Sequence, residues 1–262
     1  MNLEKIFQKA WKIYKNNFLS VVGGYFLLGI ISLLVFTVFS FPSLIHASPL
    51  LVKIFLSTHP LSEGEVKELV FQYLSSINLS AFLIPLILGA ILGVLVFIVL
   101  QMGYLSFLVR LGKGKRAKAT IREIFEDARY FALRALAQFF LSILIGLTFF
   151  VPPILSAVFR NHLVTAVLLF LGITGIVIVF FFLTFWEQCI VIYDAGVIEA
   201  MKRSYRKVRK NIFDTLLLLI IIWIIAIAVS MIESVIPLIP SLLFTPYAKI
   251  VYIEACKTFK ER

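Results

Sequence analysis

The hydrophobic positions of this chain fall into six long apolar segments separated by more polar stretches. Crossing about 30 Å of hydrocarbon takes roughly 20 helical residues, and each segment comes close to that length or exceeds it. The segments lie near residues 18–41, 80–109, 132–158, 163–186, 212–235 and 239–257. The last segment is the least regular, because Pro240, Pro246 and Lys249 interrupt it. The pattern predicts an all-α polytopic membrane protein whose six transmembrane helices form three hairpins.

A second pattern precedes each hairpin, where apolar residues recur at helical spacing and basic residues accompany them. The three apolar faces are Leu3, Ile6, Phe7, Ala10, Trp11, Tyr14 and Phe18; Ile121, Ile124, Phe125, Ala128, Phe131 and Ala135; and Ile198, Met201, Tyr205, Val208 and Ile212. Amphipathic helices of this kind are typical of membrane surfaces. We therefore expect each hairpin to be preceded by a cytoplasmic interfacial helix.

The combined pattern predicts an internal threefold repeat. Its units cover residues 1–112, 113–196 and 197–262, and the ends of two return segments, 192–195 and 252–255, resemble each other. The turns from interfacial helix to span are expected near 16–17, 129–134 and 210–211. In the second unit a bend within one long helix is the alternative, because the apolar face continues through the turn. The competing interpretation of the whole repeat is that any basic helix before a span looks like this.

The first unit is longer than the others because residues 42–79 are inserted in its outer loop. Within this external insert, the apolar run 49–57 is too short to span and contains Pro49 and Lys53. We predict a separate interfacial helix there, with Ser48 as its N-cap. A second short helix is predicted after Ser62. The insert is expected to cover the outer ends of the spans, with a lid or docking surface as the alternative.

Composition supports membrane insertion and excludes several classes of protein. The chain of 262 residues is 61% hydrophobic and 15% charged, and its mean hydropathy is +1.02. Soluble domains carry about 25% charged residues. This excludes an ordinary soluble domain, a disordered chain and a soluble nucleic-acid-binding protein. We expect a single integral membrane domain over residues 1–262.

The distribution of basic residues predicts the orientation. The chain has 25 Lys and Arg residues against 14 Asp and Glu. With a cytoplasmic N-terminus, only Lys53, Lys67 and Arg160 fall on the outer side of the six-span arrangement. Because basic residues concentrate in cytoplasmic loops, both termini are predicted to lie in the cytoplasm and the protein in the plasma membrane.

Basic residues of the first and third interfacial helices form a predicted inner collar that binds the headgroups of anionic lipids. Its members are Lys5, Lys9, Lys12, Lys202, Arg203, Arg206, Lys207, Arg209 and Lys210. Membrane lipids are therefore the expected partners. A homo-oligomer or a protein partner is left open, and no nucleic acid is expected.

Polar groups within the spans are few, and none forms a catalytic pattern. Gln101 is expected to make an interhelical hydrogen bond, and Glu187 to pair with a basic residue of the third interfacial helix. The glycines of Gly89-x-x-x-Gly93 predict a close helix approach. Cys189 and Cys256 lack metal or disulfide spacing. We expect no enzyme activity, cofactor or metal.

A motif at the junction of the second and last units resembles one in a known family. Its residues are Asp194, Gly196, Val197, Ala200, Arg203 and Ser204, with Glu254 in a closing Tyr-x-Glu. The pattern resembles the membrane domain of glycerophosphodiester phosphodiesterase membrane-domain proteins and their stand-alone prokaryotic relatives of unknown function. The likeness is clear over the last third of the chain. It implies a membrane-domain fold and does not carry over the phosphodiesterase activity.

Two functions follow from these features. The first is a non-enzymatic membrane protein that organises or binds lipid, or docks a partner. The alternative is a transporter or channel for a lipid-like or small apolar solute. A cavity that reaches the middle of the membrane would favour the alternative.

Overall fold

A computed structural model describes residues 3–55, 62–76, 79–113, 121–158, 162–234 and 236–259. The described residues form helices and no strand, which confirms the all-α prediction. The helices are α1 (Leu3–Asn16), α2 (Phe18–Phe55), α3 (Glu63–Ser76), α4 (Leu79–Leu111), α5 (Ile121–Val158), α6 (His162–Phe182), α7 (Trp186–Tyr193), α8 (Val197–Lys210), α9 (Ile212–Glu233) and α10 (Ile239–Thr258).

Five stretches of the described helices are long and apolar enough to cross a membrane. They are Phe18–Ser43, Ser80–Leu111, Arg122–Val158, His162–Tyr193 and Ile212–Glu233. The sixth predicted segment does form a helix, α10, but it is not among them. Its prolines and tyrosines, together with Lys249 and Glu254, make α10 more polar than the other five. The multi-pass character is therefore confirmed, while the count of six spans stays a prediction.

Contacts divide the chain into two compact units. Unit 1 comprises Met1–Leu27 and Ile98–Arg262, and unit 2 comprises Leu28–Phe97. Both boundaries fall inside long helices, one in α2 and the other in α4.

Unit 2 is built on a close approach of α2 and α4. A methyl group added at Gly89 would lie 2.9 Å from the carbonyl oxygen of Phe36, and one at Gly93 would lie 3.3 Å from that of Ser32. The predicted glycine-mediated contact is thereby confirmed, because only glycine lets the two backbones come this close. The hydroxyl of Ser43 donates a hydrogen bond of 2.5 Å to the carbonyl of Phe82.

The prediction of a separate helix at 49–57 is wrong over the part that the structure describes. Helix α2 continues to Phe55, and residues 56–57 lie outside the described residues. Ser48 does not cap a new helix, since its hydroxyl donates to the carbonyl of Ile45 one turn earlier. Serine back-bonding of this kind is compatible with a continuing helix. The second predicted helix of the insert is present as α3.

In unit 1 the second amphipathic stripe is an internal packing face. Ile124, Ala128, Phe131 and Ala135 are all buried. The backbone of α4 approaches this face at Gly103, where an added methyl group would lie 2.7 Å from the amide nitrogen of Ala128. The stripe predicted to rest on the membrane therefore packs at least partly against α4, where glycine permits the contact.

The predicted turns are present in two of the three repeat units. Asn17 separates α1 from α2, and Asn211 separates α8 from α9. In the second unit α5 runs unbroken from Ile121 to Val158, so the turn expected at 129–134 is absent. The turns coincide with Asn, whose side chain bonds back to the preceding helix: Asn17 Nδ2 to the carbonyl of Ile13 and Asn211 Nδ2 to that of Lys207.

The apolar face of α1 is partly packed against the rest of the protein and partly exposed. Ile6, Ala10 and Tyr14 are buried, and α1 packs on α10. The hydroxyl of Tyr14 donates a hydrogen bond of 3.0 Å to the carbonyl of Leu243. Burial of the phenol raises the pKa of Tyr14. Trp11, which lies on the same helix, remains more than half exposed.

Candidate functional site

Ser204 of the sequence motif lies against a break between two helices. Helix α6 ends at Phe182 and α7 begins at Trp186. The fully buried hydroxyl of Ser204 bridges this break, since it donates to the carbonyl of Phe182 at 2.9 Å and accepts from the amide of Phe185 at 3.1 Å. Helix ends leave backbone groups without partners. One motif serine of α8 thus satisfies both sides of the interruption.

The turn from α7 to α8 holds Asp194 and Gly196. Asp194 has a left-handed backbone with φ 51°, and Gly196 precedes the first residue of α8. The carboxylate of Asp194 pairs with Arg134 and accepts a hydrogen bond of 2.8 Å from the hydroxyl of Tyr130, both on α5. The hydrogen bond from Arg134, followed by that from Tyr130, lowers the pKa of Asp194.

Arg203 and Ala200 follow this turn on α8. Arg203 pairs with Glu199 one turn earlier at 2.8 Å, and its guanidinium lies over the ring of Tyr193, 4.9 Å from the centroid. Ala200 is fully buried. The ring nitrogen of Trp186 donates to the carbonyl of Val197 at 2.9 Å and ties the start of α7 to the start of α8. The motif therefore builds a rigid helix–turn–helix, and Arg203 is engaged within it.

Lys207 corrects the prediction of the inner collar. Its side chain is only 2% exposed, and its ammonium donates to the carbonyls of Cys256 and Phe259, each at 2.8 Å. A cation at the end of a helix satisfies unpaired carbonyls and interacts favourably with the helix dipole. Lys207 therefore caps the C-terminal end of α10 and is not accessible to a lipid headgroup.

Glu254, the closing acid of the motif, is a second buried charge at the same end of α10. It is 1% exposed and pairs with Lys9 at 2.6 Å and with Lys257 at 2.8 Å. A methyl group added at Gly112 would lie 2.8 Å from the ammonium of Lys257. Lys9 of the predicted collar is thus an ion-pair partner of Glu254, although its side chain remains largely exposed.

The remaining collar residues keep accessible side chains. Lys5, Lys12, Lys202, Arg206, Arg209 and Lys210 are exposed. On α8 the apolar residues Ile198 and Tyr205 are exposed as well, whereas Val208 is buried. The part of α8 that packs inside the protein is formed by Ala200, Ser204, Lys207 and Val208. The other basic and apolar side chains of α8 therefore share its outer surface.

An apolar groove of about 510 Å³ runs between α5, α6 and α8. It is lined by Ile145, Ile178, Val179, Phe182, Leu183, Met201, Lys202, Tyr205 and Arg206. The walls from α5 and α6 are entirely hydrocarbon. The α8 side carries the two cations Lys202 and Arg206 and the hydroxyl of Tyr205. The groove therefore combines apolar walls with two positive charges.

A polar cavity of about 420 Å³ lies between α5, α7 and α10. Its lining includes Gln138, Glu187, Gln188 and Lys249, together with apolar and hydroxyl side chains. Gln101 donates a hydrogen bond of 2.9 Å to the carboxylate of Glu187, which confirms the interhelical bond predicted for Gln101. The partner predicted for Glu187 was wrong, because its partner among the described residues is Gln101 and not a base of α8.

Sequence reasoning missed Tyr130, Gln138, Gln188 and the inward role of Lys249. The residues that surround each of them in space lie on other helices. Spacing along the sequence therefore gave no signal for them. The thiols of Cys189 and Cys256 are buried and form no disulfide with each other, with their sulfur atoms 3.7 Å apart. Among the described residues, no group of three or more His, Cys, Asp or Glu side chains could hold a metal ion.

Comparison with known proteins matches one family over most of the chain. The match is to a domain of unknown function, DUF7847, over residues 50–255. The chain belongs to the DUF7847 family. No curated protein and no solved structure matches it.

The DUF7847 match contains every residue of the motif and the whole lining of both the groove and the cavity. Helix α1 lies outside the match. The buried acid Glu254 therefore belongs to the family segment, while its partner Lys9 precedes it.

Proposed function

We propose that this protein is a non-enzymatic, multi-pass protein of the plasma membrane that binds anionic phospholipid. The observation that carries the proposal is the apolar groove between α5, α6 and α8, with Lys202 and Arg206 on its α8 side. An acyl chain requires hydrocarbon walls, and a phosphate requires cations beside them. The groove supplies both.

The energetic argument has two parts. Each basic residue near an anionic surface contributes up to about 1 kcal/mol of attraction. Each buried methylene of an acyl chain contributes about 0.8 kcal/mol relative to water, although within a bilayer the chain already lies in hydrocarbon. Selectivity for anionic lipids is therefore expected to come from the attraction between the headgroup and the side chains of Lys202 and Arg206. Both side chains are exposed, and neither is held in an ion pair in the part of the chain described.

The expected arrangement in the membrane is six spans with both termini in the cytoplasm. Support comes from α1, which packs on α10, and from Lys9, which pairs with Glu254 near the C-terminal end of α10. The first and the last described helices are therefore in contact, which agrees with a shared cytoplasmic side. In this arrangement α10 crosses the membrane in contact with other helices of the protein. Such contacts allow a membrane-spanning helix to carry charged residues.

The topology is tested by cysteine labelling of intact cells with an impermeant reagent. The native cysteines Cys189 and Cys256 are buried and give little background. Gly64→Cys and His162→Cys are expected to react from outside, whereas Lys113→Cys and Arg209→Cys react only after permeabilisation. External reaction of Lys113→Cys would overturn the six-span arrangement.

We also propose a relationship to the membrane domain of the glycerophosphodiester phosphodiesterase proteins, on the strength of the motif. Its residues Asp194, Gly196, Ala200, Arg203 and Ser204 occupy one helix–turn–helix, and Glu254 pairs at the end of α10. A set of residues with a shared structural task is expected to recur in relatives. The test is a structure of such a membrane domain, in which the serine must bridge a helix break.

Lipid binding is tested with the full chain in nanodiscs that contain phosphatidylglycerol and phosphatidylcholine. Native mass spectrometry is expected to show preferential retention of phosphatidylglycerol. The double variant Lys202→Gln/Arg206→Gln should lose most of that preference. The matched control, Arg209→Gln/Lys210→Gln, removes the same charge from the same helix outside the groove lining and should keep it. An equal loss of the phosphatidylglycerol preference in both variants would show that it depends on the total charge of α8 and not on the groove. That result would contradict the proposal.

A second candidate is movement of a lipid-like solute across the membrane, and the polar cavity in unit 1 favours it. A headgroup that crosses hydrocarbon needs polar partners along its path. Reconstituted vesicles with fluorescent phospholipid measure this directly. Faster exchange between leaflets with the protein than without it would favour transport over static binding.

A further inference from the structure

The polar cavity has a feature that the groove lacks: two buried side-chain oxygens without a partner. Gln138 on α5 is 9% exposed and Gln188 on α7 is 6% exposed. The Oε1 atom of each is buried and accepts no hydrogen bond in the described part of the chain. Both residues line the same cavity. Buried polar atoms are nearly always paired, so an occupant that donates hydrogen bonds is expected here.

The cavity also has a negative and a positive pole. The carboxylate of Glu187 accepts one hydrogen bond from Gln101 and has further acceptor capacity. Lys249 and Glu187 both line this cavity. The ammonium of Lys249 carries three donors and no acceptor. One end of the ligand must therefore supply donors and positive charge, and the other must supply acceptors and negative charge.

The volume and the remaining lining narrow the choice further. A cavity of about 420 Å³ lies within the range of small-molecule sites. Phe180, Leu183 and Ala248 add apolar surface to the lining. A short hydrocarbon linker between the two charged ends of a ligand would contact such surface favourably.

We propose that the polar cavity between α5, α7 and α10 binds a zwitterion that carries a primary ammonium. Its N–H groups donate to the oxygens of Gln138, Gln188 and Glu187, and its anionic group pairs with Lys249. An ethanolamine phospholipid headgroup and a free small molecule such as phosphoethanolamine share this chemistry. The site is separate from the anionic-lipid groove and does not depend on it.

The test compares a primary ammonium with a quaternary one, which carries the same charge but has no N–H donor. The full chain in nanodiscs is offered phosphatidylethanolamine against phosphatidylcholine, with retention measured by native mass spectrometry. In a parallel arm, detergent-solubilised protein is titrated with phosphoethanolamine against phosphocholine and followed by thermal shift. A preference for the primary ammonium of about tenfold is expected, because the hydrogen bonds at stake involve a charged donor.

The two arms distinguish the sources of the ligand. A preference in nanodiscs alone identifies a lipid headgroup, and a preference in solution identifies a free zwitterion. Equal retention of both amines in both arms would mean that the cavity holds only water, and would overturn the proposal.

Variants locate the effect within the cavity. Gln138→Leu and Gln188→Leu replace an unpaired buried acceptor by hydrocarbon, so they should abolish the preference while leaving thermal stability without ligand unchanged or higher. Ser142→Ala is the matched control, because the Ser142 hydroxyl lines the cavity but already donates to the carbonyl of Gln138 in its own helix. Lys202→Gln/Arg206→Gln should also keep the preference. If the preference survives in both glutamine variants, the ligand lies elsewhere.

Discussion

Asp194 and Glu254 occupy the same position in two similar stretches of sequence, yet one acid is exposed and the other is buried. Ile192–Ala195 and Tyr252–Ala255 resemble each other, and each acid has a basic partner. Asp194 is 58% exposed and pairs with Arg134 on α5. Glu254 is 1% exposed and pairs with Lys9 and Lys257. The position of an acid at the end of a helix therefore does not decide how strongly the structure depends on it.

The difference arises from the neighbours of the two helices. Helix α7 ends at Tyr193, and Asp194 lies in the turn that follows, where its side chain is exposed. Helix α10 packs against α1, α7 and α9, and its last turns are almost entirely buried. A buried carboxylate needs paired charges to offset its lost hydration, whereas an exposed one is solvated in any case. The same local pattern thus forms a buried ion-pair cluster around Glu254 and an exposed ion pair at Asp194.

The largest effect is expected from Glu254→Gln. The substitution keeps the shape of the side chain but leaves Lys9 and Lys257 without their anion. We expect the free energy of unfolding to fall by about 3 kcal/mol, the scale of hydrogen bonds to charged groups. Thermal unfolding in a fixed detergent measures this. A loss no greater than that of Asp194→Asn would remove the distinction between the two acids.

An intermediate effect is expected from Lys207→Met, which tests the other buried charge at the end of α10. The variant keeps an apolar stem of similar length and removes both hydrogen bonds to the carbonyls of Cys256 and Phe259. We expect a loss of about 2 kcal/mol. Arg209→Met is the control, since Arg209 is exposed on the same helix. Equal stabilities of the two variants would show that the cap is dispensable.

The smallest effect is expected from Asp194→Asn. An exposed ion pair contributes less than about 1 kcal/mol. Because Arg134 lowers the pKa of Asp194, the contribution of this pair is present above the unfolded-state pKa and is lost as pH falls through the lowered value. The difference in thermal stability between wild type and Asp194→Asn should therefore become smaller as the pH is lowered from neutral into the acid range. A difference that widens on acidification would contradict this assignment.

The fate of the basic collar shows where pattern reading from sequence reached its limit. Lys202, Arg206 and Lys207 lie within one stretch of six residues, and the sequence pattern predicts one role for all three. The structure separates them, because 100° of rotation per residue places Lys207 on the inner face of α8 and the other two beside the groove. Likewise, the stripe on α5 correctly predicts a helix face, but the buried part of that face packs against α4 and not against lipid. Periodicity identifies a face and not what covers it.

The sequence by itself determined the class of protein, the approximate extent of five apolar helices, the glycine contact at Gly89 and Gly93, and the interhelical bond of Gln101. These follow from hydrophobicity, helical period and the high energy of an unpaired polar group in an apolar environment, all of which act locally or through composition. Only the tertiary structure decided that Glu254 and Lys207 are buried and that Gln138, Gln188, Glu187 and Lys249 surround one cavity. The physical reason is that burial and pairing depend on helices distant in sequence, whose packing is not encoded in any local spacing.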